Sequence, residues 1–311
     1  MTSNQPHNYL SSGLWKVASC ACFAGINGIV RYLNGGSPLE MVDPLPSYVI
    51  VFFQNIFGVL ALLPWLIGQD MRTFKTNNPG LHFIRVLVAV IGIGIWYISL
   101  HYLQIAQVIA LGFTGPIITV IGARLILNEH LDWQRMTAIG ISFIGAFVIM
   151  RPDEVLMGQG DSSMGFAVFL PLIAACCFAA SKLCARMLAS RGESPKVMTL
   201  YILTMMAPVS LIPALFEWQT PSAHHWPWLI AMGVLAKAAH FSLVKAFEHG
   251  EVTFVTPFGF SKILIGASVG YLAFGEYPNT WTVWIGAGII FTSVMLLSMI
   301  AEKKQPARKP A

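Results

Sequence analysis

The chain has 311 residues, of which 56% are hydrophobic and 11% charged. Soluble domains carry about 25% charged residues, so a chain this poor in charge cannot solvate a globular surface and must turn most of its side chains to lipid or to its own helices. The net charge of +5 does not mark a nucleic-acid binder. The basic residues fall between apolar runs and at the C-terminus, in Lys303, Lys304, Arg308 and Lys309, which is the pattern of cytoplasmic membrane loops.

Residues 1–13 are polar and lack a basic n-region, and no small-residue cleavage site follows the first apolar run, which therefore reads as a retained helix. A span needs about 20 mostly apolar residues. Ten candidates follow in order, at approximately 14–34, 46–68, 81–100, 104–127, 134–150, 164–187, 197–217, 226–247, 252–274 and 281–301. The third and fourth are separated only by His101 to Gln104 and are expected to form a tight helical hairpin. The connections are short and carry turn chemistry, as in Asn34-Gly35-Gly36-Ser37-Pro38 and Gly192-Glu193-Ser194-Pro195. Cys20, Cys22, Cys176, Cys177 and Cys184 lie inside apolar segments and read as small packing residues. Residues 302–311 form a basic tail.

Loop charge sets the orientation. One alternating set of loops holds Arg72, Lys75, Arg85, Arg124, Arg135, Arg186, Arg191, Lys196 and Lys245. The other holds Glu40 and Asp43, Arg151 against Asp153, Glu154 and Asp161, then Glu217 and Glu276, and is clearly less basic. The positive-inside rule puts both termini in the cytoplasm, which ten spans allow.

The chain also repeats itself. Phe113-Thr114-Gly115-Pro116, then Asn128-Glu129-His130, then Gly140 and Gly145 are matched by Val255-Thr256-Pro257-Phe258, then Gly275-Glu276-Tyr277, then Gly286 and Gly288. Five spans per half is an odd number, so halves 14–151 and 164–301 would have opposite topology. Inverted repeats with a site near the midplane are a hallmark of secondary transporters. Coincidence among Gly- and Pro-rich apolar helices is the alternative.

These motifs resemble the drug/metabolite transporter superfamily in its EamA-type ten-helix branch. Phe52-Phe53-Gln54-Asn55-Ile56-Phe57-Gly58 is similar to the family's apolar-Arg-Asn-apolar-Gly motif, and Leu81-His82-Phe83-Ile84-Arg85 to the opening of its third span. Phe113-Thr114-Gly115-Pro116 and Leu127-Asn128-Glu129 follow, and Val255-Thr256-Pro257-Phe258 and Phe274-Gly275-Glu276 with Pro278 are similar to the family's second-repeat signature. The resemblance implies an all-α bundle of ten transmembrane helices with a central cavity and alternating access. Gln54 stands where many relatives have Arg, and Arg31 where many have Lys, so the substrate cannot be borrowed from any one relative.

Ionisable groups inside a bilayer cost about 2.5–3.5 kcal/mol each even on lenient scales. Lys237 and Lys262 lie near the middle of their spans, and no Asp or Glu lies near the middle of any span. A substrate carboxylate or phosphate would complete them; snorkelling or bonding to backbone carbonyls is the competing role. His240 shares a helix face with Lys237, and Phe258 and Phe260 flank Lys262, with Pro257 and Gly259 as a hinge. Lys182, Gln54, Asn27, Trp96, Tyr97 and Phe113 complete the expected substrate-binding set, with Pro116 as a second hinge. Asn27 and Asn55 also suit helix-to-helix hydrogen bonds, and Trp96 and Tyr97 an aromatic belt at the outer interface. Glu129 and Glu276 read as helix-end residues with a possible part in gating. The paired glycines Gly92 and Gly94, Gly140 and Gly145, and Gly286 and Gly288 are expected to bring helix backbones close.

The expected function is secondary transport across the inner membrane of an amino acid, an adenosylmethionine-like conjugate or a similar carboxylate- or phosphate-bearing metabolite. Drug or toxic-metabolite efflux is the first alternative; an intramembrane enzyme or a scaffold ranks lower, since HExxH, GxSxG and paired intramembrane aspartates are missing from the sequence. The expected partners are a small-molecule substrate and the lipid bilayer, with no nucleic acid, cofactor or metal. Monomer and homodimer both stay open.

Overall fold

A computed structural model describes residues 9–36, 43–67, 76–127, 133–150, 166–249, 255, 258–259, 261–276 and 281–303. These residues form eleven helices: α1 (Tyr9–Leu33), α2 (Ser47–Ile67), α3 (Pro79–Tyr102), α4 (Ile105–Gly112), α5 (Gly115–Leu127), α6 (Trp133–Met150), α7 (Phe169–Ser190), α8 (Pro195–Phe216), α9 (Trp226–His249), α10 (Ser261–Phe274) and α11 (Trp281–Lys303). Stretches within α1, α3, α7, α8 and α9 are long and apolar enough to cross a membrane. Shorter apolar stretches lie in α2, α4–α5, α10 and α11.

Local chemistry sets the helix ends. Pro79 opens α3 and Pro195 opens α8, where a missing N–H costs nothing. Ser194 caps α8 by accepting from the Val197 N–H at 3.3 Å. Gly35, Gly192 and Gly275 stand at φ 73°, 82° and 63°, just beyond α1, α7 and α10. Only glycine takes this left-handed turn freely, and it ends a helix.

Helix α1 lies along α9, α3 along α7, and α6 along α11, while α2 packs on both α8 and α9. The apolar core runs through the middle, with Ile50, Leu100, Ile105, Ile109, Leu111 and Met232 fully buried. Large apolar side chains such as Phe216, Leu272 and Trp281 stand exposed on the outside. Such a surface suits hydrocarbon, and helices satisfy every backbone group within it.

Three expectations need correction. The fourth apolar run is not one helix: the chain leaves the helix at Phe113 and Thr114 and begins α5 at Gly115. Pro116 is therefore a first-turn residue of α5, where its fixed φ suits a helix start, and not a kink within a continuous span. Helices α3 and α4 do join at Leu103 and Gln104, but α4 packs chiefly on α10 and α7 rather than folding back on α3. The reason is Gly266, which leaves a notch in α10 that Ile105 and Ile109 of α4 fill. The glycine pairs also differ. A Cβ on Gly145 would meet the Gly286 carbonyl oxygen at 2.8 Å, whereas nothing among the described residues lies within 4 Å of one on Gly140 or Gly288.

Candidate functional site

Lys262, the second residue of α10, points into the bundle. Its ammonium stands 5.3 Å from the centroid of Phe23 on α1 and 5.3 Å from that of Trp96 on α3. Both rings offer a negative face to the cation. Among the described residues no carboxylate pairs with it. Just before it the chain is unwound at Gly259, and the Cys20 thiol lies 3.7 Å from the carbonyl oxygens of Phe258 and of Gly259.

Trp96 is fixed on three sides. Its indole N–H donates to the Asn27 side-chain oxygen at 3.2 Å. The Phe178 ring lies 6.1 Å away. The indole also covers Gly112, where any side chain would strike it. Trp96 and Tyr97 are 8% and 4% exposed, so they are interior residues and not the expected aromatic belt. The Tyr97 hydroxyl donates to the Gln54 side-chain oxygen. The Asn27 amide nitrogen is buried and has no hydrogen-bond partner among the described residues. A buried, unpaired N–H donor costs about 1–3 kcal/mol, so this one awaits an acceptor.

The remaining expected residues divide. His240 contacts Phe23 edge to face at 5.5 Å, which joins it to the Lys262 cluster. Lys237 does not point there; its ammonium donates to the Ala61 backbone carbonyl of α2. Lys182 is exposed one turn beyond Phe178 on α7 and makes no hydrogen bond or ion pair with a described residue. Phe113 sits at the end of α4 and packs on the core. The Phe258 ring lies against Gly13, at the start of α1. Asn55 donates to the Ser210 hydroxyl at 3.3 Å, the expected bond between helices. Pro257, Phe260 and Glu129 lie outside the described residues. Neither Phe23 nor Cys20, which reads from sequence as a packing residue, is marked there as part of the site, although Phe23 stands one turn before Asn27 and so shares its helix face.

Polar contacts tie the two halves at both ends. At one end the Glu193 carboxylate accepts from the Thr76 hydroxyl and, at 3.2 Å, from the Asn78 amide, while Arg191 donates to Asn78 at 2.8 Å. The Thr76 hydroxyl in particular holds the Glu193 carboxyl below its ordinary range. At the other end the Gln219 amide donates to Asp43 at 2.6 Å, and His225 Nε2 meets the Asp43 carbonyl at 2.9 Å. Arg31 and Glu276 form a buried ion pair at this same end.

The EamA-like transporter family profile matches residues 13–151 and again residues 165–299. A riboflavin transporter of Vibrio cholerae is 32% identical, over 96% of this chain and 96% of its own length. An S-adenosylmethionine uptake transporter of Rickettsia prowazekii is 29% identical, over 97% of this chain and 96% of its own. A crystal structure of a protein 14% identical in sequence superposes with a TM-score of 0.56, over 97% of this chain and 100% of that one, a likeness of fold alone.

Proposed function

The chain belongs to the EamA-like transporter family and is a multi-pass inner-membrane transporter of a small metabolite; we propose that its cargo is a flavin-like molecule, riboflavin in the first instance, carried by alternating access. The observation that carries this reading is the Lys262 ammonium held over two aromatic faces with no carboxylate partner among the described residues, together with the Asn27 amide nitrogen, which has no hydrogen-bond partner among them. A flavin ring offers a flat electron-poor face to Trp96 and Phe23. Its ring carbonyls accept from Lys262 and from Asn27. Riboflavin is named for a relative of similar length.

An S-adenosylmethionine-like cargo is the second reading, supported by the Rickettsia relatives. Its sulfonium and ammonium would have to approach Lys262, and like charges in a low-dielectric site repel strongly. Its carboxylate alone would gain. The flavin therefore fits better.

The architecture proposed for this transport is ten spans, with α4 and α5 together forming the fourth, arranged as inverted halves over 14–151 and 164–301, and both termini cytoplasmic. The packing supports it: exchanging each span for the one five places on turns the α1–α9 contact into α7–α3, and leaves α6–α11 as its own counterpart. Inverted halves place a site where they meet, and Lys262 of the second half meets Phe23 and Trp96 of the first, with Asn27 bonded to Trp96.

Riboflavin uptake into proteoliposomes, competed with S-adenosylmethionine, tests the cargo. Saturable riboflavin uptake, abolished by Lys262→Met, supports it. Uptake of S-adenosylmethionine with no competition by riboflavin replaces it with the second reading.

A further inference from the structure

We propose that Arg31 and Glu276 form the outer gate of the carrier, a buried contact between the halves that breaks each time the site opens to the outer face. This rests on the alternating-access reading and on the proposed orientation.

Four elements converge on the pair. Arg31 lies in the last turn of α1, and Glu276 follows α10 directly. Their side chains are 9% and 8% exposed and form an ion pair. Arg31 Nη1 also donates to the carbonyls of Leu100 at 2.6 Å and Leu103 at 2.5 Å, at the end of α3. Glu276 Oε2 accepts from the Ile105 N–H at 3.1 Å, at the start of α4. The cation thus sits where α3 presents its negative end, and the anion where α4 presents its positive end. Helix ends leave such carbonyls and N–H groups without partners, and this pair satisfies them.

Position makes the pair a lid. Arg31 is one turn beyond Asn27 on α1, and Leu100 is one turn beyond Trp96 on α3. The Asn27–Trp96 hydrogen bond and the Arg31–Leu100 hydrogen bond are successive rungs of the same seam, about 5.4 Å apart along the helices. The ligand groups face the first rung, and the second closes over it. Separating the halves takes Glu276 into water at the outer mouth and leaves Arg31 tied to α3. Each charge keeps a solvating partner, which makes the contact reversible.

Gly270 and Gly275 aim the carboxylate. The left-handed turn at Gly275 lets the Glu276 N–H return to the Gly270 carbonyl at 3.0 Å. A Cβ on Gly270 would come to 2.5 Å from Glu276 Oε2. Gly270→Ala therefore dislodges the carboxylate without removing its charge.

The test uses full-length protein whose native cysteines are replaced, with Gln54→Cys as a reporter inside the gate, in right-side-out membrane vesicles. A membrane-impermeant maleimide is added outside. Glu276→Gln and Gly270→Ala are each expected to raise the labelling rate about tenfold, as loss of a charged hydrogen bond from the closed state implies; Glu276→Asp is expected to label close to the parent rate. Unchanged labelling in both Glu276→Gln and Gly270→Ala overturns the gate, as does an increase seen only from the inner face. Gly270→Ala carries the test if Glu276→Gln does not fold. Flavin uptake by the parent chain, with Gln54 and the native cysteines in place, reads the cargo separately: its absence alongside gated labelling of the reporter removes the flavin and leaves the gate.

Discussion

Trp96 donates its indole N–H to the Asn27 side-chain oxygen at 3.2 Å, and the Asn27 amide nitrogen stays buried with no hydrogen-bond partner among the described residues. Asn27 thus fixes the ring on one side and offers a donor on the other. Asn27→Ala is expected to weaken flavin binding by about 1–2 kcal/mol, roughly tenfold in Kd, because the ligand loses an acceptor contact and the aromatic wall loosens. Quenching of flavin fluorescence by purified protein measures this. An unaltered Kd would show that the amide does not face the ligand.

Lys262 predicts opposite effects on stability and binding. An unpaired ammonium inside a membrane bundle costs about 2.5–3.5 kcal/mol, and cation–π contacts return about 0.5–2 of it. Lys262→Met keeps the length and removes the charge. The variant is expected to melt higher than the parent without ligand and to bind flavin more than about tenfold more weakly. A thermal melt with and without riboflavin checks both signs at once. A lower apo Tm would mean that the ammonium stabilises the fold.

The class of fold was legible because apolar runs of the right length and the sign of loop charges need no tertiary information. The site was legible only in part. Lys262 and Lys237 look alike in sequence, each a lone cation in an apolar span. Which neighbour a helix face meets depends on its rotation about its axis, and this separates Lys262, on aromatic rings, from Lys237, on the Ala61 carbonyl. Phe23 is not legible in the sequence because one more phenylalanine in an apolar helix carries no local signal. The same holds for the partnership of Arg31 with Glu276: each was noted alone, and only the packing of α1 against α10 joins them. The break at Phe113 and Thr114 was ambiguous because a proline marks a helix start as readily as a kink.

The glycines give a test of packing. On Gly145 a methyl group would sit 2.7 Å from Ile290 and 2.8 Å from the Gly286 carbonyl, which is backbone and cannot step aside. Gly145→Ala is expected to destabilise by about 1–3 kcal/mol through overpacking of α6 on α11. Gly140→Ala, on the same helix with nothing among the described residues within 4 Å, is expected to be neutral or to stabilise by about 0.5–1 kcal/mol through helix propensity. Parallel melts of the two variants check the contrast; equal shifts would place the α6–α11 contact elsewhere.

The loops at the two ends respond to acid in different windows. His225 is fully buried; its Nδ1 accepts from the Ser222 N–H at 2.9 Å, and its Nε2 donates to the Asp43 carbonyl at 2.9 Å. This pattern requires the neutral ring, and burial, the largest cause, holds its pKa below the ordinary histidine value. A depressed pKa means that the unfolded chain takes up the proton more readily. The stabilisation is therefore complete above about pH 6.5 and is lost as pH falls toward the lowered folded value. Glu193 has the same sign, but its window begins only below about pH 4.3, the ordinary glutamate value. Melts between about pH 7.5 and about pH 5, the histidine window, should fall for the parent and flatten for His225→Gln, while Glu193→Gln leaves the slope unchanged. A slope that survives His225→Gln would assign the acid sensitivity to another group.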